Sequence, residues 1–181
     1  MADHRTAIGA LRSTAWRDAV LATPRLVFVP RFFRPECDSA EATPVSSADP
    51  GWLDAVYSDE PLVTQFDEDP AATGGNPTSS STAPDLMLRM LEVLDIDDGH
   101  NVLEIGTGTG YNAALLCHRL GDTLVTSIDV DESVTSAARD RLAHLGLFPA
   151  VITGDGAAGH PDNGPYDQII ATCAVRRIPS A

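Results

Sequence analysis

The segment VLEIGTGTGYNAALL, Val102 to Leu116, constrains the fold more than any other part of the chain. An apolar strand pattern runs into Gly106, Gly108 and Gly110, and a helical pattern begins directly after them. A glycine loop between a strand and its helix lets backbone N–H groups approach a ligand closely, and the helix N-terminus adds partial positive charge. The surrounding sequence repeats the strand-helix alternation. Leu86, Met87, Met90, Leu91 and Leu94 share a helix face. Strands follow at Asn101 to Ile105, Leu124 to Ile128, Ala150 to Thr153 and Tyr166 to Ala171, with helices at Tyr111 to Leu120 and Glu132 to Leu145. This order predicts an α/β fold with a doubly wound, mostly parallel sheet.

The front of the chain is less regular. Residues 5 to 22 read as one helix, with Ala7, Ile8, Leu11, Trp16, Val20 and Leu21 on its apolar face and Pro24 after its end. Arg25 to Pro30 is a short apolar piece between prolines, and residues 31 to 59 read as loop with a helical turn near Trp52. Leu62 to Phe66 reads as a short strand. Asp67 to Thr82 is polar and rich in Gly, Pro and Ser, and is either a linker or a functional loop. The expected organisation is one domain over 1–181: a helical and loop cap with a cofactor lid over 1–83, and a Rossmann-like core over 84–181.

The dinucleotide fingerprint G-x-G-x-x-G needs a third glycine at position 111, where this chain has Tyr111; the third glycine is one residue early, at Gly110. Glu104, at the end of the strand, would face a diphosphate badly. It suits a ligand carrying an ammonium or a sulfonium, and S-adenosylmethionine carries both and has no phosphate. Asp129 lies 23 residues after Gly106, where an acidic side chain accepts from ribose hydroxyls. Asp155, in GDG, is placed to take the exocyclic amine of adenine. Each has a plainer reading: the glycines as a turn, Asp129 as a helix cap, Asp155 as a turn residue. Three carboxylates ending three successive parallel strands point together to S-adenosylmethionine.

Charge and composition narrow the classes. The chain has 12 basic and 26 acidic residues and a net charge of -14, which disfavours nucleic acid as a partner. Every basic residue is Arg, so Schiff-base chemistry and a P-loop are excluded. Cys37, Cys117 and Cys173 are far apart, show no metal-ligand spacing, and read as buried free thiols. His4, His100, His118, His144 and His160 form no triad or metal set. No stretch is long and apolar enough for a membrane helix, no secretory pattern opens the chain, and the cytoplasm is the expected compartment.

VLEIGTGTGYNAALL, ITGDGAAGHP and YDQIIATCAVRRIP resemble the class I methyltransferases, and within them the protein-L-isoaspartate O-methyltransferases. WRDAVLATPRLVFVP and PTSSSTAPDLMLRMLEVLDI are similar to that family's opening helix and to its hydroxyl loop leading into a helix. Where the family usually has Ser before x-Pro, this chain has Thr82. The resemblance implies a Rossmann-like methyltransferase fold. It also implies methyl transfer from S-adenosylmethionine to the carboxylate of isoaspartyl residues in damaged proteins or peptides, as protein repair. It assigns Thr82 and Ser81 to catalysis, and Ser80, Glu104, Gly106, Thr107, Gly108, Gly110, Asp129, Val130, Asp155 and Gly156 to the cofactor. The family fold continues with further strands beyond the point matching Ala181, so the chain is expected to be a fragment or a shortened relative.

A carboxylate acceptor is already ionised at neutral pH, so alignment and water exclusion carry the catalysis and no strong base is required. Thr82 opens Thr-x-x-Asp before an apolar helical run, which reads equally as a capping box with Asp85 or as a donor to the substrate carboxylate. Arg176 and Arg177 are either part of an anion pocket or solvated surface. Two other functions remain open: an aspartyl methyltransferase that tailors a ribosomally made peptide, and a truncated, inactive cofactor-binding chain. The strand Tyr166 to Ala171, with Ile169 and Ile170 adjacent, reads as buried on both faces and as a sheet edge. Marginal stability or association through that edge, with weak or absent methyl transfer, is the expectation.

Overall fold

A computed structural model of the chain describes residues 12–36, 41–67 and 71–175. The carboxy-terminal part is built as the alternation predicts. Helix α4 (Pro84–Leu94) precedes β5 (Val102–Ile105), α5 (Tyr111–Leu120), β6 (Val125–Asp129), α6 (Glu132–His144), β7 (Ala150–Thr153) and β8 (Gln168–Ala171). The four strands form one parallel sheet in the order β7-β6-β5-β8. Chain direction across the sheet reverses between β5 and β8, and such a switch point opens a crevice at the carboxyl ends of its strands.

Register sorts the side chains into two faces. Val102 pairs with Val125, and Glu104 pairs with both Ser127 and Ile170. Val102, Val125, Val151 and Ile170 join one core with Leu91, Leu115, Leu116 and Leu142 of the three helices. On the other face Leu103 neighbours Thr126 and Ile169. That face is met by the segment after β7, where Asn163 Nδ2 donates to Thr126 Oγ1 at 3.0 Å and Gly156 packs against Ile105. Ile169 remains 58% exposed, which corrects the expectation that β8 is buried on both faces.

The amino-terminal part differs from the loop expected for it. Helix α1 (Thr14–Ala22) starts after Ser13, whose extended backbone and side-chain bond to Trp16 N–H make it the N-cap. The helix therefore does not run through Ser13 as expected, and residues 5 to 11 lie outside the described residues. The piece after Pro24 is a helical turn, α2 (Arg25–Phe28). Residues 31 to 59 hold an antiparallel hairpin, β1 (Arg31–Pro35) with β2 (Ala42–Ser46), and a short helix α3 (Trp52–Val56). Pro35 and Pro44 mask these strands in the sequence. Pro44 is tolerated because β2 is an edge strand, where a missing N–H breaks no ladder on the open side. β3 (Leu62–Phe66) follows, and β4 (Pro77–Ser81), inside the expected linker or loop, completes a sheet in the order β2-β1-β3-β4.

Two contacts seat this cap on the core. The rings of Phe28 and Tyr111 lie 5.7 Å apart at the start of α5. Buried Gln65 of β3 accepts from Thr78 Oγ1 at 3.1 Å and donates to Asp131 Oδ2 at 2.9 Å. Asp131 is the N-cap of α6, its Oδ1 accepting from Ser133 N–H at 2.7 Å and Val134 N–H at 3.3 Å. Desolvation alone would raise this carboxyl, but the hydrogen bonds from Ser133, Gln65 and Val134 outweigh it and hold it below its ordinary range.

Candidate active site

A cavity of about 360 Å³ opens between β4 and the carboxyl ends of β5, β6 and β8. The glycine loop forms its floor. Gly106 has φ +96°, and a Cβ there would sit 2.9 Å from Thr172 Oγ1 and 3.0 Å from Cys173 Cβ, so the turn and the end of β8 both require glycine. Gly110, at φ +87°, is the N-cap of α5, and a Cβ there would meet the Ala138 Cβ of α6 at 3.2 Å. The first glycine thus lets β8 close on the loop, and the last lets α5 and α6 pack. Gly108 N–H donates to Asp129 Oδ2 at 3.0 Å, which fixes the loop against the end of β6.

Glu104 is fully buried beneath this loop. Its Oε1 accepts from Asn112 Nδ2 at 2.7 Å and its Oε2 from Ser127 Oγ at 2.5 Å. Ser127 Oγ lies 2.7 Å from Thr107 Oγ1. With the Ser127 proton committed to Glu104, Thr107 is the donor in that contact. Burial pushes the Glu104 carboxyl from its ordinary 4.5 up to about 7; the bonds from Ser127 and Asn112 pull it down, and the charge of Asp129 pushes it further up.

The roof is β4 and the turn after it. Ser79, Ser80, Ser81 and Thr82 all line the cavity. Arg25 holds them from behind. It is fully buried, donating to Val56 O at 2.7 Å, Thr82 O at 3.1 Å and Ser81 Oγ at 3.2 Å. The capping-box reading of Thr82 is overturned. The N-cap of α4 is Ala83, with no side-chain cap bond, and the Asp85 N–H goes instead to Asp59 Oδ1 at 2.8 Å. A carboxylate from the loop before β3 does the work that the local pattern assigned to Thr82.

The cavity brings together Ser80, Ser81, Thr82, Glu104, Gly106, Thr107, Gly108 and Asp129. Gly110, Val130, Asp155 and Gly156 are not in its wall. Gly110 is buried under α5, and Val130 is exposed to solvent. Asp155 is exposed, its Oδ1 accepts from Ala157 N–H at 2.9 Å and caps a 3₁₀ turn, and Gly156 is buried beside Ile105. Sequence reasoning missed Asn112, Thr172, Cys173 and Arg25. Thr172 and Cys173 follow the strand at the switch point, and the rule that ligands bind at such carboxyl ends finds them. Cys173 is exposed, unlike buried Cys117, which corrects the expectation for that thiol. Burial raises both thiols above their ordinary value, so neither is an activated thiolate. Cys37, His4, Arg176 and Arg177 lie outside the described residues. Among the described residues no group of three His, Cys, Asp or Glu side chains is arranged to hold a metal, and no helix is long and apolar enough to cross a membrane.

A parallel sheet of this order, with a glycine loop after β5 and an acid at the end of β6, is the Rossmann-like architecture of the class I methyltransferases. A solved protein-L-isoaspartate O-methyltransferase superposes with TM-score 0.75 at 30% identity, over 99% of this chain and 50% of that one. A second solved protein, from Plasmodium falciparum and described as a putative enzyme of the same name in complex with S-adenosyl-L-homocysteine, shares the fold with TM-score 0.67 at 12% identity, over 98% of this chain and 74% of that one. Residues 46–181 match the family model for protein-L-isoaspartate(D-aspartate) O-methyltransferase, and the chain belongs to that family. Relatives named protein-L-isoaspartate O-methyltransferase include those of Ignicoccus hospitalis, 37% identical over 64% of this chain and 55% of the relative, and Methanococcus vannielii, 32% over 94% and 68%. That of Methylorubrum extorquens is 33% identical over 100% of this chain and 65% of the relative. The chain thus spans about half to two thirds of the length of these proteins.

Proposed function

We propose that this chain transfers a methyl group from S-adenosylmethionine to the free carboxylate of isoaspartyl residues in proteins or peptides. The observation that carries the reading is the meeting of an acid-lined glycine floor with a hydroxyl-lined roof across one cavity. The floor fits the cofactor chemically. Asp129 offers acceptors for ribose hydroxyls, Glu104 offers a buried negative charge, and Asn112 carries a buried amide oxygen with no hydrogen bond among the described residues. When bound, S-adenosylmethionine supplies a methyl group on a positively charged sulfur.

The roof addresses the acceptor. Thr82 lines the cavity and is not the helix cap, so its hydroxyl serves as a donor to one carboxylate oxygen while the other oxygen attacks the methyl carbon. With the cofactor bound, an O–CH₃ bond would form as its S–CH₃ bond broke, the electron pair would remain on sulfur, and no proton transfer would be required of the protein. Arg25 fixes the carbonyl of Thr82 and the hydroxyl of Ser81, so the donor strand is held in place for the acceptor. A pair of peptides differing only in isoaspartyl or normal aspartyl linkage tests the proposal with labelled cofactor. Methylation of the isoaspartyl peptide alone is expected. Methylation of the normal aspartyl peptide alone would replace it with the tailoring reading, and binding of S-adenosylhomocysteine with neither peptide methylated would leave only a cofactor-binding chain.

A further inference from the structure

Gln65 stands where the strand ladder of the cap is irregular. Its pairing with Ser79 is flanked on both sides by register shifts, and an irregularity of this kind re-aims a side chain, often beside an active site. The side chain is 5% exposed. Its Oε1 accepts from Thr78 Oγ1 of β4 at 3.1 Å, and its Nε2 donates to Asp131 Oδ2 at 2.9 Å and to Ser133 Oγ at 3.3 Å. A primary amide offers an acceptor and two donors in one plane, which is the set this position uses. An ionised carboxylate only accepts, so Asp131 requires the NH₂ end of Gln65.

Both ends of this bridge bear on the site. Thr78 and Ser79 line the cavity in β4, the strand that leads directly to Thr82. On the other side, Asp131 N–H donates to Asp129 Oδ1 at 3.3 Å, and Asp129 Oδ2 accepts from Gly108 N–H at 3.0 Å. β4 passes close over that loop: Ser80 O lies 3.5 Å from where a Cβ on Gly108 would sit. The bonds from Arg25 to Val56, Ser81 and Thr82 lie within the cap, so they shape the roof without tying it to the floor. Gln65 ties the one to the other. Resting on the methyltransferase reading above, we infer that Gln65 is a positioning residue for methyl transfer: it sets the hydroxyl-bearing strand β4 in register with Asp129, and so aligns the acceptor carboxylate with a cofactor held on the floor. In-line attack tolerates little displacement, so a shift of about 1 Å in the roof costs up to about a hundredfold in rate, while the floor keeps its own bonds.

Two variants test this, with kcat measured at saturating cofactor and peptide, and S-adenosylhomocysteine binding measured by titration calorimetry. The peptide is whichever of the isoaspartyl and normal aspartyl pair wild type methylates, so the identity of the acceptor does not decide the matter. Q65M keeps length and burial and removes both hydrogen-bonding functions. It is expected to lower kcat about ten- to a hundredfold and to bind S-adenosylhomocysteine within about threefold of wild type. Q65E keeps an acceptor for Thr78 but sets a second carboxylate against Asp131, while Thr78 and Ser133, which also meet this position, do not titrate. Two carboxylates in contact share one proton as pH falls, and the protonated Q65E carboxyl can again donate to Asp131. The kcat of Q65E relative to wild type is therefore expected to rise by about fivefold or more from pH 8 to pH 6, a ratio from which the titration of Glu104, common to both proteins, cancels. Thermal melting at each pH verifies the fold, and Q65E carries the test if Q65M does not fold. A structural role alone would lower the melting temperature and leave the kcat of the folded variants at the wild-type value, which would overturn the inference. So would a parallel loss of S-adenosylhomocysteine binding, or a Q65E ratio that is flat with pH. If wild type methylates neither peptide, the methyltransferase reading itself is wrong and this inference falls with it.

Discussion

Replacing Glu104 with glutamine removes a buried charge and keeps the side-chain shape. Asn112 Nδ2 can still donate to the amide oxygen, and the new NH₂ can donate to Ser127 Oγ, because Ser127 can turn its own proton to Thr107, 2.7 Å away. The pH dependence of stability is what changes. Below pH 4.5, its ordinary value, the Glu104 carboxyl is protonated in both folded and unfolded chains and contributes nothing. Between 4.5 and about 7 the unfolded chain ionises and the folded one does not, so the fold loses stability as pH rises, and the loss is complete above about 7. At about 1.4 kcal/mol per tenfold change in proton affinity, the full loss is about 3 kcal/mol. Urea denaturation of wild type and E104Q at pH 5 and pH 8 isolates the effect, since Asp129, Cys117, Cys173 and the histidines are common to both proteins. The stability of E104Q minus that of wild type should grow by about 2–3 kcal/mol from pH 5 to pH 8. A difference independent of pH would show that Glu104 is ionised throughout, and would refute burial as the dominant influence on it.

Two further substitutions separate the roof from its support. Thr82→Ala should change stability by less than about 0.5 kcal/mol in thermal melts, because Thr82 caps no helix, yet should lower methylation of an isoaspartyl peptide tenfold or more. Arg25→Ala should cost about 3–5 kcal/mol in urea denaturation, since it strips buried carbonyls and a hydroxyl of their donor, and Arg25→Lys should recover less than half, because one ammonium cannot span the acceptors that a guanidinium fork reaches.

The parallel core was legible because its strands are short apolar runs between helices of regular period, as VLEI and AVIT are. The glycine loop stood out for the same reason, since few other structures put glycine at alternate positions between a strand and a helix. The cap was not legible. RFFRP and ATPVS carry prolines that read as breaks, and only the edge position of β2 reconciles Pro44 with a strand. β4 reads PTSSS because it borders a polar cavity, so it lacks the apolar alternation that marks a half-buried strand. The capping box at Thr82 failed because the competing cap, Asp59, lies 26 residues before the Asp85 amide it serves. In the site, Glu104 and Asp129 were visible as acids at strand ends. Their partners were not: Asn112 and Ser127 reach Glu104 from 8 and 23 residues away, and Arg25 reaches Ser81 from 56.

Gln65 gives the cap and the helix beneath it a shared mechanical fate. The carboxylate that anchors this cap residue also closes the first turn of α6, so lifting β3 from the core strips a donor from the group that staples that turn. Any motion that lifted β3 would loosen the start of α6, at Ser133 and Val134. Deuterium uptake at those two backbone positions then reads how firmly β3 is seated on the core, without any bound ligand.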